Sequence, residues 1–356
     1  MKRLVIVYPK AIGDFIFALP TLHTVRRALP NTHITLVVKA KQAPLALPQK
    51  GVLIDDILVI GGDMDWFGVR RRVTRLKPDI IFDMAGNDQS GLILTCRSSK
   101  RLRPHRADCK GFASLYSLCA ESMPQLQPGM HRVEELLCFA RALGADNPVY
   151  SFKLELPNRA IEESERMIEK YQLRSGTVIA LNVGASRDSK RWPPEHFEAL
   201  AEALVDGGFR VVLTGARGFK YDSNYDYLIS KKFATKNFVD GEHCTDLISN
   251  ANLPPDLQLQ RDAHFLRYSG VPKVVVGNDT GPMQIAGSIG DDAKNKTVSL
   301  FGPTNWGRYA PYDASRSFPD KPTGTWNRVL SSGIACAPSG SREACARYRS
   351  GCNHKS

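Results

Sequence analysis

Short, wholly apolar runs alternate along this chain with longer segments of helical period, and this alternation limits the fold severely. The pattern opens with RLVIVY (3–8), continues through FIFALPTLHTVRRALP (15–30) and reaches a second apolar run at HITLVV (33–38). A strand, a helix and a strand in such close succession form a βαβ unit, whose two strands lie parallel in one sheet. The alternation restarts at TVIALNVGA (177–185). The sequence therefore predicts an α/β chain with two parallel sheets in succession.

The length of the chain, 356 residues, exceeds what one hydrophobic core usually supports, so two domains are expected. The alternation is interrupted where two prolines bracket the segment VYSFKLEL. We predict a first domain at residues 1–165, a second at 166–332 and a tail at 333–356. The segment KTVSLFGPTN (296–305) is expected to hold the last strand of the second domain.

The segment VVVGNDTGPMQ (274–284) indicates a buried strand that stops at a tight turn and feeds a helix N-terminus. Such a junction offers unpaired backbone N–H groups and the positive end of the helix dipole to a phosphate. Asp279, Thr280 and Gly281 are the candidate binding residues. An alternative stays open, in which Asp279 only caps the helix and Gly281 only allows the bend.

Three further apolar runs end in small, glycine-containing turns. Together with the first they are VGAS (183–186), LTGA (213–216), VVGNDTG (275–281) and FGPTNWG (301–307). Because the carboxyl ends of parallel strands share one edge of a sheet, these turns predict a site lined with backbone N–H groups, which suits a diphosphate. No GxGxxG follows the first strand and no GxxxxGK[ST] occurs, so neither a standard dinucleotide fold nor an NTPase phosphate loop is expected.

Two charged residues are candidates for catalysis. Asp14 lies in the turn AIGDF just after the first strand, where a carboxylate could take a proton from a hydroxyl nucleophile. Its alternative role is to cap the following helix. Lys190 lies in the polar loop after the strand at 177–182, where its charge could stabilise a departing phosphate. Its alternative is a solvated surface lysine.

The chain carries a formal net charge of +12, which attracts anionic partners. Much of it lies in two clusters, namely Arg70, Arg71, Arg72, Arg75 and Lys77, and then Lys100, Arg101, Arg103, Arg106 and Lys110. A solvated basic face, a surface for a phosphorylated acceptor and a surface for an anionic membrane all remain open. No nucleic-acid-binding motif accompanies the clusters, so no nucleic-acid partner is predicted.

The chain shows no apolar run of the roughly 18–20 residues that cross a bilayer, and its N-terminal run LVIVY is too short for a signal peptide. We expect a cytoplasmic protein, either in solution or peripheral at the inner face of the cytoplasmic membrane. Cys336, Cys345 and Cys352 crowd the end of the chain without a CxxC spacing. Two alternatives stay open for these cysteines: a structural metal site with a fourth ligand, or a loosely ordered tail.

Four segments together resemble glycosyltransferase family 9, the bacterial heptosyltransferases of lipopolysaccharide core assembly. They are residues 12–38, 182–215, 275–290 and 298–312. The resemblance implies a GT-B fold, in which two Rossmann-like parallel-sheet domains face a central cleft. It implies an acceptor-binding first domain, a nucleotide-sugar-binding second domain and an inverting transfer that needs no cofactor. The expected donor is a nucleotide sugar, typically ADP-heptose, and the expected acceptor is a phosphorylated glycolipid or glycan of the lipopolysaccharide core.

The resemblance also carries roles to individual positions. Asp14 would be the general base, and Lys190 would act on the leaving group. The donor-binding residues would be Gly13, Ser186, Lys190, Gly215, Asp279, Thr280, Gly281 and Gln284. Two positions depart from the family pattern: Gln284 stands where a histidine is common, and only Asp222, which is displaced, offers a carboxylate after LTGA. A transferase of another sugar or onto protein, and a non-catalytic nucleotide-sugar-binding protein, stay open as alternatives.

Overall fold

The computed structural model describes residues 3–62, 65–86, 88–98, 100–102, 130–215, 223–230, 238–239, 254–289, 295–313 and 327–331. The chain forms two compact units, Met1–Glu155 and Leu156–Ser356. The first unit ends ten residues before the predicted boundary at 165, because the helix Asn158–Lys170 packs on the helix Pro255–Arg267 of the second unit. The predicted tail at 333–356 lies outside the described residues.

The first unit contains one sheet of five parallel strands with helices between them. The strands are β1 (Arg3–Val7), β2 (His33–Lys39), β3 (Asp56–Ile60), β4 (Ile80–Asp83) and β5 (Lys100–Leu102). The described helices are α1 (Ile12–Ala28), α2 (Ala43–Ala46), α3 (Asp65–Leu76), α4 (Asp88–Leu94) and α5 (Arg132–Arg141), with 3₁₀ turns at Ala40–Gln42 and Leu47–Gln49. The strand order is β3-β2-β1-β4-β5.

Helix α3 shows why these segments fold as they do. Its residues Trp66, Val69 and Val73 recur at helical spacing and are buried against β1, β2 and β4, while most of the remaining side chains are polar. An apolar stripe of this kind is stable only when it packs on another apolar surface. Strand β1, which is apolar and buried from Leu4 to Val7, supplies that surface, and its burial on both faces explains its lack of alternation.

The second unit contains one sheet of six parallel strands. They are β6 (Val178–Asn182), β7 (Arg210–Thr214), β8 (Phe238–Val239), β9 (Lys273–Asn278), β10 (Lys296–Phe301) and β11 (Asn327–Ser331). The described helices are α6 (Asn158–Lys170), α7 (Pro194–Asp206), α8 (Ser223–Ser230), α9 (Pro255–Arg267), α10 (Gly281–Gly287) and α11 (Trp306–Tyr309), with 3₁₀ turns at Leu173–Ser175 and Asp188–Lys190. The strand order is β11-β10-β9-β6-β7-β8.

Both faces of this second sheet are covered. Val178 and Ala180 of β6 point to a core shared with α6, α9 and α10, whereas Ile179 and Leu181 point to a core shared with α7. Successive residues of a strand face opposite sides, so one apolar run serves both cores. The predicted α/β class with two parallel sheets is confirmed.

One expectation about the second sheet is wrong. β10 was expected to be its last strand, but β11 pairs with β10 in parallel register and forms the edge. Its sequence, NRVLS, is short and mixes polar with apolar residues, because an edge strand buries only part of its surface. Across the described residues, no helix is both long and apolar enough to cross a bilayer.

Candidate functional site

The predicted glycine turns meet at one edge of the second sheet. β10, β9, β6 and β7 are neighbours in that order and all run parallel. Their carboxyl ends therefore lie side by side and lead into the turns after Phe301, Asn278, Asn182 and Thr214. This juxtaposition was predicted from the sequence, and the strand order confirms it. We call the edge formed by these four turns the glycine edge.

A buried asparagine links three of these strand ends. Asn182, the last residue of β6, accepts a hydrogen bond at Oδ1 from the Thr280 hydroxyl at 2.9 Å. Its Nδ2 donates to Oγ1 of Thr214 at 3.3 Å. Gly277 lies beside it, and a Cβ at that position would come within 2.5 Å of the Asn182 carbonyl oxygen. The absence of a side chain at Gly277 therefore lets β9 and β6 approach closely enough for this network.

A second asparagine fixes the loop that follows β6. The Nδ2 of Asn278 donates to the carbonyl of Val183 at 2.8 Å and to that of Gly184 at 3.3 Å. Its Oδ1 accepts from the backbone N–H of Trp192 at 3.0 Å. Asn278 is fully buried, so these bonds satisfy a side chain that would otherwise be costly to desolvate. The loop from Val183 to Trp192 is thus held at both ends against β9.

That loop brings Lys190 to Asp279. The Lys190 Nζ lies 2.5 Å from Oδ2 of Asp279, and the side chains are 21% and 7% exposed respectively. The backbone N–H of Asp279 donates to the carbonyl of Leu300 at 3.1 Å. Two residues that are 89 positions apart, and that were singled out independently, are therefore in direct contact.

The structure bears on the alternatives that the sequence left open for both residues. Lys190 is not a solvated surface lysine, because it is largely covered and paired with a buried carboxylate. Asp279 is not the N-cap of α10, because the N-cap residue is Thr280. The ammonium keeps enough exposure to meet a second anion, and a charge-assisted bond to a phosphate oxygen would be a strong one. The arrangement therefore offers a cation at the glycine edge that a phosphate can approach.

The position of Lys190 depends on a second close approach. A Cβ at Gly302, the first residue after β10, would lie 2.5 Å from the Ser189 carbonyl oxygen and 3.9 Å from the Lys190 Cα. The backbone at the end of β10 thus packs directly against the 3₁₀ turn Asp188–Lys190. Only glycine, which has no side chain, fits at position 302 without a clash with that turn.

Gln284 occupies the position where the family pattern commonly has a histidine. It is 3% exposed, and its Nε2 donates to the carbonyl of Tyr309 at 2.8 Å, which ties α10 to α11. Its Oε1 is buried and accepts no hydrogen bond from any residue that the structure describes. Gln284 therefore has one committed amide nitrogen and one open acceptor oxygen.

The other predicted donor-binding positions of this unit lie at the same edge. Ser186 is exposed in the loop after β6, and Gly281 is the first residue of α10. The carbonyl of Gly215, just past β7, accepts from Nε2 of Gln258 at 3.1 Å. Asp222 falls outside the described residues.

An arginine–aspartate pair beside Gly215 was missed from the sequence. Together with Thr214 and Gly215, Arg261 and Asp262 of α9 line a small cavity at the end of β7. Arg261 Nη2 lies 2.7 Å from Oδ1 of Asp262. Burial raises the pKa of the Asp262 carboxyl, and Arg261 opposes that shift. The only signal in the sequence is the dipeptide RD within an otherwise ordinary helical pattern.

In the first unit, Asp14 lies in the first turn of α1, directly after Gly13. Its Oδ2 accepts a hydrogen bond from the backbone N–H of Ala11 at 3.2 Å, and the residue is half-buried. The capping contact therefore exists, as an acidic side chain in a first helical turn would favour. It uses one carboxylate oxygen, and no hydrogen bond to the other comes from the part of the chain that the structure describes.

A buried charged cluster that was not predicted from the sequence lies under this end of the first sheet. Arg132 Nη1 lies 2.7 Å from Oε2 of Glu135, and Arg132 Nη2 donates to the Tyr8 hydroxyl at 3.2 Å. The side chains of Arg132 and Glu135 are 2% and 1% exposed. Burial raises the pKa of the Tyr8 phenol, and the Arg132 charge works against that rise. The cluster joins α5 to the end of β1, where the turn toward Asp14 begins.

No group of three or more histidine, cysteine, aspartate or glutamate side chains that could hold a metal occurs among the residues that the structure describes. Cys336, Cys345 and Cys352 lie outside those residues, so their predicted role stays a prediction.

Comparison with known proteins finds the same family that the four sequence segments resemble. The model of glycosyltransferase family 9 (heptosyltransferase) matches residues 66–318. Lipopolysaccharide heptosyltransferase 1 of Escherichia coli K12 is 22% identical over 324 residues, which cover 87% of this chain and 91% of that protein. Lipopolysaccharide heptosyltransferase 2 of Salmonella typhimurium is 23% identical over 315 residues, which cover 85% of this chain and 83% of that protein.

Solved structures show the same fold. A family 9 glycosyl transferase from Veillonella parvula superimposes with a TM-score of 0.67 at 19% identity, covering 94% of this chain and 88% of that one. An Escherichia coli heptosyltransferase solved with ADP-2-deoxy-2-fluoro heptose gives a TM-score of 0.61 at 19% identity, covering 92% of each chain.

Proposed function

Because the chain belongs to glycosyltransferase family 9 and is therefore a glycosyltransferase of GT-B fold, we propose that it transfers heptose from ADP-heptose to a hydroxyl group of a lipopolysaccharide core. The relatives named as lipopolysaccharide heptosyltransferases support both the donor sugar and the acceptor class. The observation that carries the proposal is the Lys190–Asp279 pair on the glycine edge. It supplies a cation and an acidic group just before the start of α10, and the first backbone amides of that helix would face a nucleotide diphosphate sugar bound there.

The reaction that these residues would perform is a single displacement with inversion. An acceptor hydroxyl oxygen attacks the anomeric carbon, and the bond from that carbon to the diphosphate oxygen breaks. Asp14 takes the proton of the attacking hydroxyl as general base. ADP leaves with both electrons of the broken bond. Lys190 and the backbone amides of the glycine edge stabilise the negative charge that develops on the leaving oxygen.

The remaining residues of the site would bind the donor. Thr280, already oriented by Asn182, and Gly281 face the sugar and its diphosphate, and Ser186 contacts a phosphate oxygen. Gly13 and Gly215 admit the ligand close to the backbone. Gln284 would contribute a neutral side chain to the donor site, where a protonated histidine would bring a positive charge.

The acceptor would be a phosphorylated glycolipid or glycan bound by the first unit, and its phosphates match the strong positive charge of the chain. We place the reaction in the cytoplasm, at the inner face of the cytoplasmic membrane. Transfer would proceed without a metal, because Lys190 supplies the positive charge that a cation would otherwise provide. No nucleic-acid partner is proposed.

Donor choice is tested by thermal shift with ADP-heptose against UDP-, GDP- and CMP-linked sugars. ADP-heptose at about 100 times its dissociation constant should stabilise the fold by roughly 2.7 kcal/mol, and the other three should leave the melting temperature unchanged. A larger shift with a different nucleotide sugar would replace the proposed donor.

The base is tested with Asp14→Asn. This variant should bind ADP-heptose like the wild type and lose turnover by a factor of about 10²–10⁴. Turnover at the wild-type rate would remove Asp14 from the mechanism. A chelator should leave the wild-type rate unchanged, and loss of activity that added metal restores would contradict the metal-free mechanism.

A further inference from the structure

Helix α3 presents an exposed strip that the proposed transfer does not use. Phe67, Arg71 and Arg75 follow one another at four-residue spacing, which places them on one face of the helix. That face lies opposite the buried residues Trp66 and Val73. Phe67 is 60% exposed, which is unusually open for a large aromatic side chain in this chain. We call these three residues the α3 strip.

The arginines of the strip differ from their neighbours on the same helix. Arg70 donates to Oγ1 of Thr95 at 2.6 Å, and Arg72 lies 3.6 Å from Oδ1 of Asp65 and donates to the carbonyl of Val59. Both of those arginines hold α3 in place on the first unit. Arg71 and Arg75 are exposed and form no ion pair with any other residue that the structure describes. Their charges are therefore available to an external anion.

The combination of the two side-chain types selects the kind of partner. An exposed aromatic ring followed by two arginines on one helical face puts an apolar group beside two positive charges, so the ring can enter the acyl-chain boundary while the guanidinium groups meet the lipid phosphates. A site for a soluble phosphate compound would require a concave pocket rather than a convex helix face. Charge complementarity therefore favours an extended anionic surface.

We propose that the α3 strip docks the protein on an anionic lipid surface, with Phe67 inserted at headgroup depth and Arg71 and Arg75 paired with lipid phosphates. This contact concerns the first unit alone and does not depend on the identity of the donor sugar. One ring and two charges give weak, reversible and salt-sensitive binding. Such binding suits an enzyme that must visit a lipid-anchored acceptor and leave again.

Vesicle co-sedimentation of the full chain tests this proposal. Vesicles that contain phosphatidylglycerol should retain the protein at low salt, whereas pure phosphatidylcholine vesicles should not. Because each arginine near an anionic surface contributes about fivefold in partitioning, Arg71→Gln with Arg75→Gln should weaken retention about 30-fold. Phe67→Ser should weaken it further at every salt concentration, since its contribution is apolar.

Matched controls come from the second unit. Arg159→Gln with Arg328→Gln removes the same charge from exposed positions, and Leu330→Ser removes an exposed apolar side chain that is 57% accessible. Both controls should retain wild-type partitioning. Equal losses in the control and the α3 variants would show that net charge alone drives binding and would overturn the proposal.

Two further measurements separate the remaining partners. Glycerol phosphate, the soluble headgroup, should fail to displace the protein from vesicles, and full displacement would make the strip a phosphate site instead. Phe67→Ser should leave the binding of single-stranded RNA unchanged, and a loss of RNA binding in that variant would make the partner a nucleic acid, because exposed aromatic rings stack on bases. Transfer to a water-soluble acceptor should proceed at the wild-type rate in the α3 variants, so failure of docking and failure of the proposed transfer are distinguishable.

Discussion

Replacing Gly302 by alanine tests the architecture of the glycine edge without altering any side chain that would touch the donor. The added Cβ would come within 2.5 Å of the Ser189 carbonyl oxygen, whereas real Cβ atoms stay at least 3.0 Å from such an atom. The 3₁₀ turn Asp188–Lys190 or the end of β10 must therefore move by at least half an ångström. Both are backbone, so no flexible side-chain end can absorb the displacement.

The magnitude follows from where the displaced turn leads. Lys190 is the last residue of that turn, and its Nζ is 2.5 Å from Asp279. Overpacking of this kind costs about 1–3 kcal/mol of folding stability. A shift of 1 Å in a positioned group costs about 10²-fold in rate, so a half-ångström shift should lower kcat/KM for the donor about tenfold. The loss should appear with both ADP-heptose and its analogues, because the phosphate contact is common to them.

The assay is steady-state release of the nucleotide, measured well below the melting temperature of the variant so that unfolding does not contribute. The matched control is Gly176→Ala in the same unit, where an added Cβ would meet no atom within 4 Å and the backbone is extended. The control should keep wild-type kinetics. Wild-type kinetics in Gly302→Ala, or an equal loss in the control, would refute the argument that β10 positions Lys190.

Three further predictions concern single charged residues. Lys190→Ala should lower kcat by about 10²-fold, as the loss of one hydrogen-bond donor to the transition state does. Nucleotide release near the wild-type rate would show that Lys190 has no role in the reaction. Glu135→Gln should lower the unfolding free energy, measured in urea, by about 3–5 kcal/mol, because it leaves the buried Arg132 charge uncompensated. Arg132→Met combined with Glu135→Met should recover much of that loss. Equal stabilities for the two variants would contradict this account. Burial, reinforced by the charge of Arg174, lowers the pKa of Lys273 to about 8, so protonating it disfavours the folded state. Stability should then rise as pH increases from about 8 toward the unfolded pKa near 10.4. Over that interval the advantage of Lys273→Met over the wild type should shrink by roughly 3 kcal/mol, and a constant advantage would contradict the pKa shift.

The sheets and the glycine edge were predictable because their signals are local. Runs such as VVV at 274–276 are short, apolar on every residue and followed at once by glycine, a pattern that few structures other than a buried parallel strand satisfy. Once four such runs are assigned to one sheet, their turns must share an edge. The same logic predicts that Lys190 and Asp279 lie on that edge, where the structure brings them into contact.

The side chains that organise the edge were not predictable, because their partners are distant in sequence. Asn182 and Asn278 look like ordinary turn formers, yet Asn182 bonds to a residue 98 positions away and Asn278 to one 95 positions away. Arg132 and Glu135 have the i, i+3 spacing of a surface ion pair. Only the tertiary packing of α5 shows that this pair is buried.

The hydrogen bonds of the glycine edge all join residues between Asn182 and Tyr309, and that interval lies wholly within the second unit. Substitutions in residues 1–155 therefore remove none of the groups that form these bonds. An exchange of the first unit between relatives would therefore keep every side chain that forms these bonds, but it would preserve turnover only where the new unit supplies a carboxylate in place of Asp14.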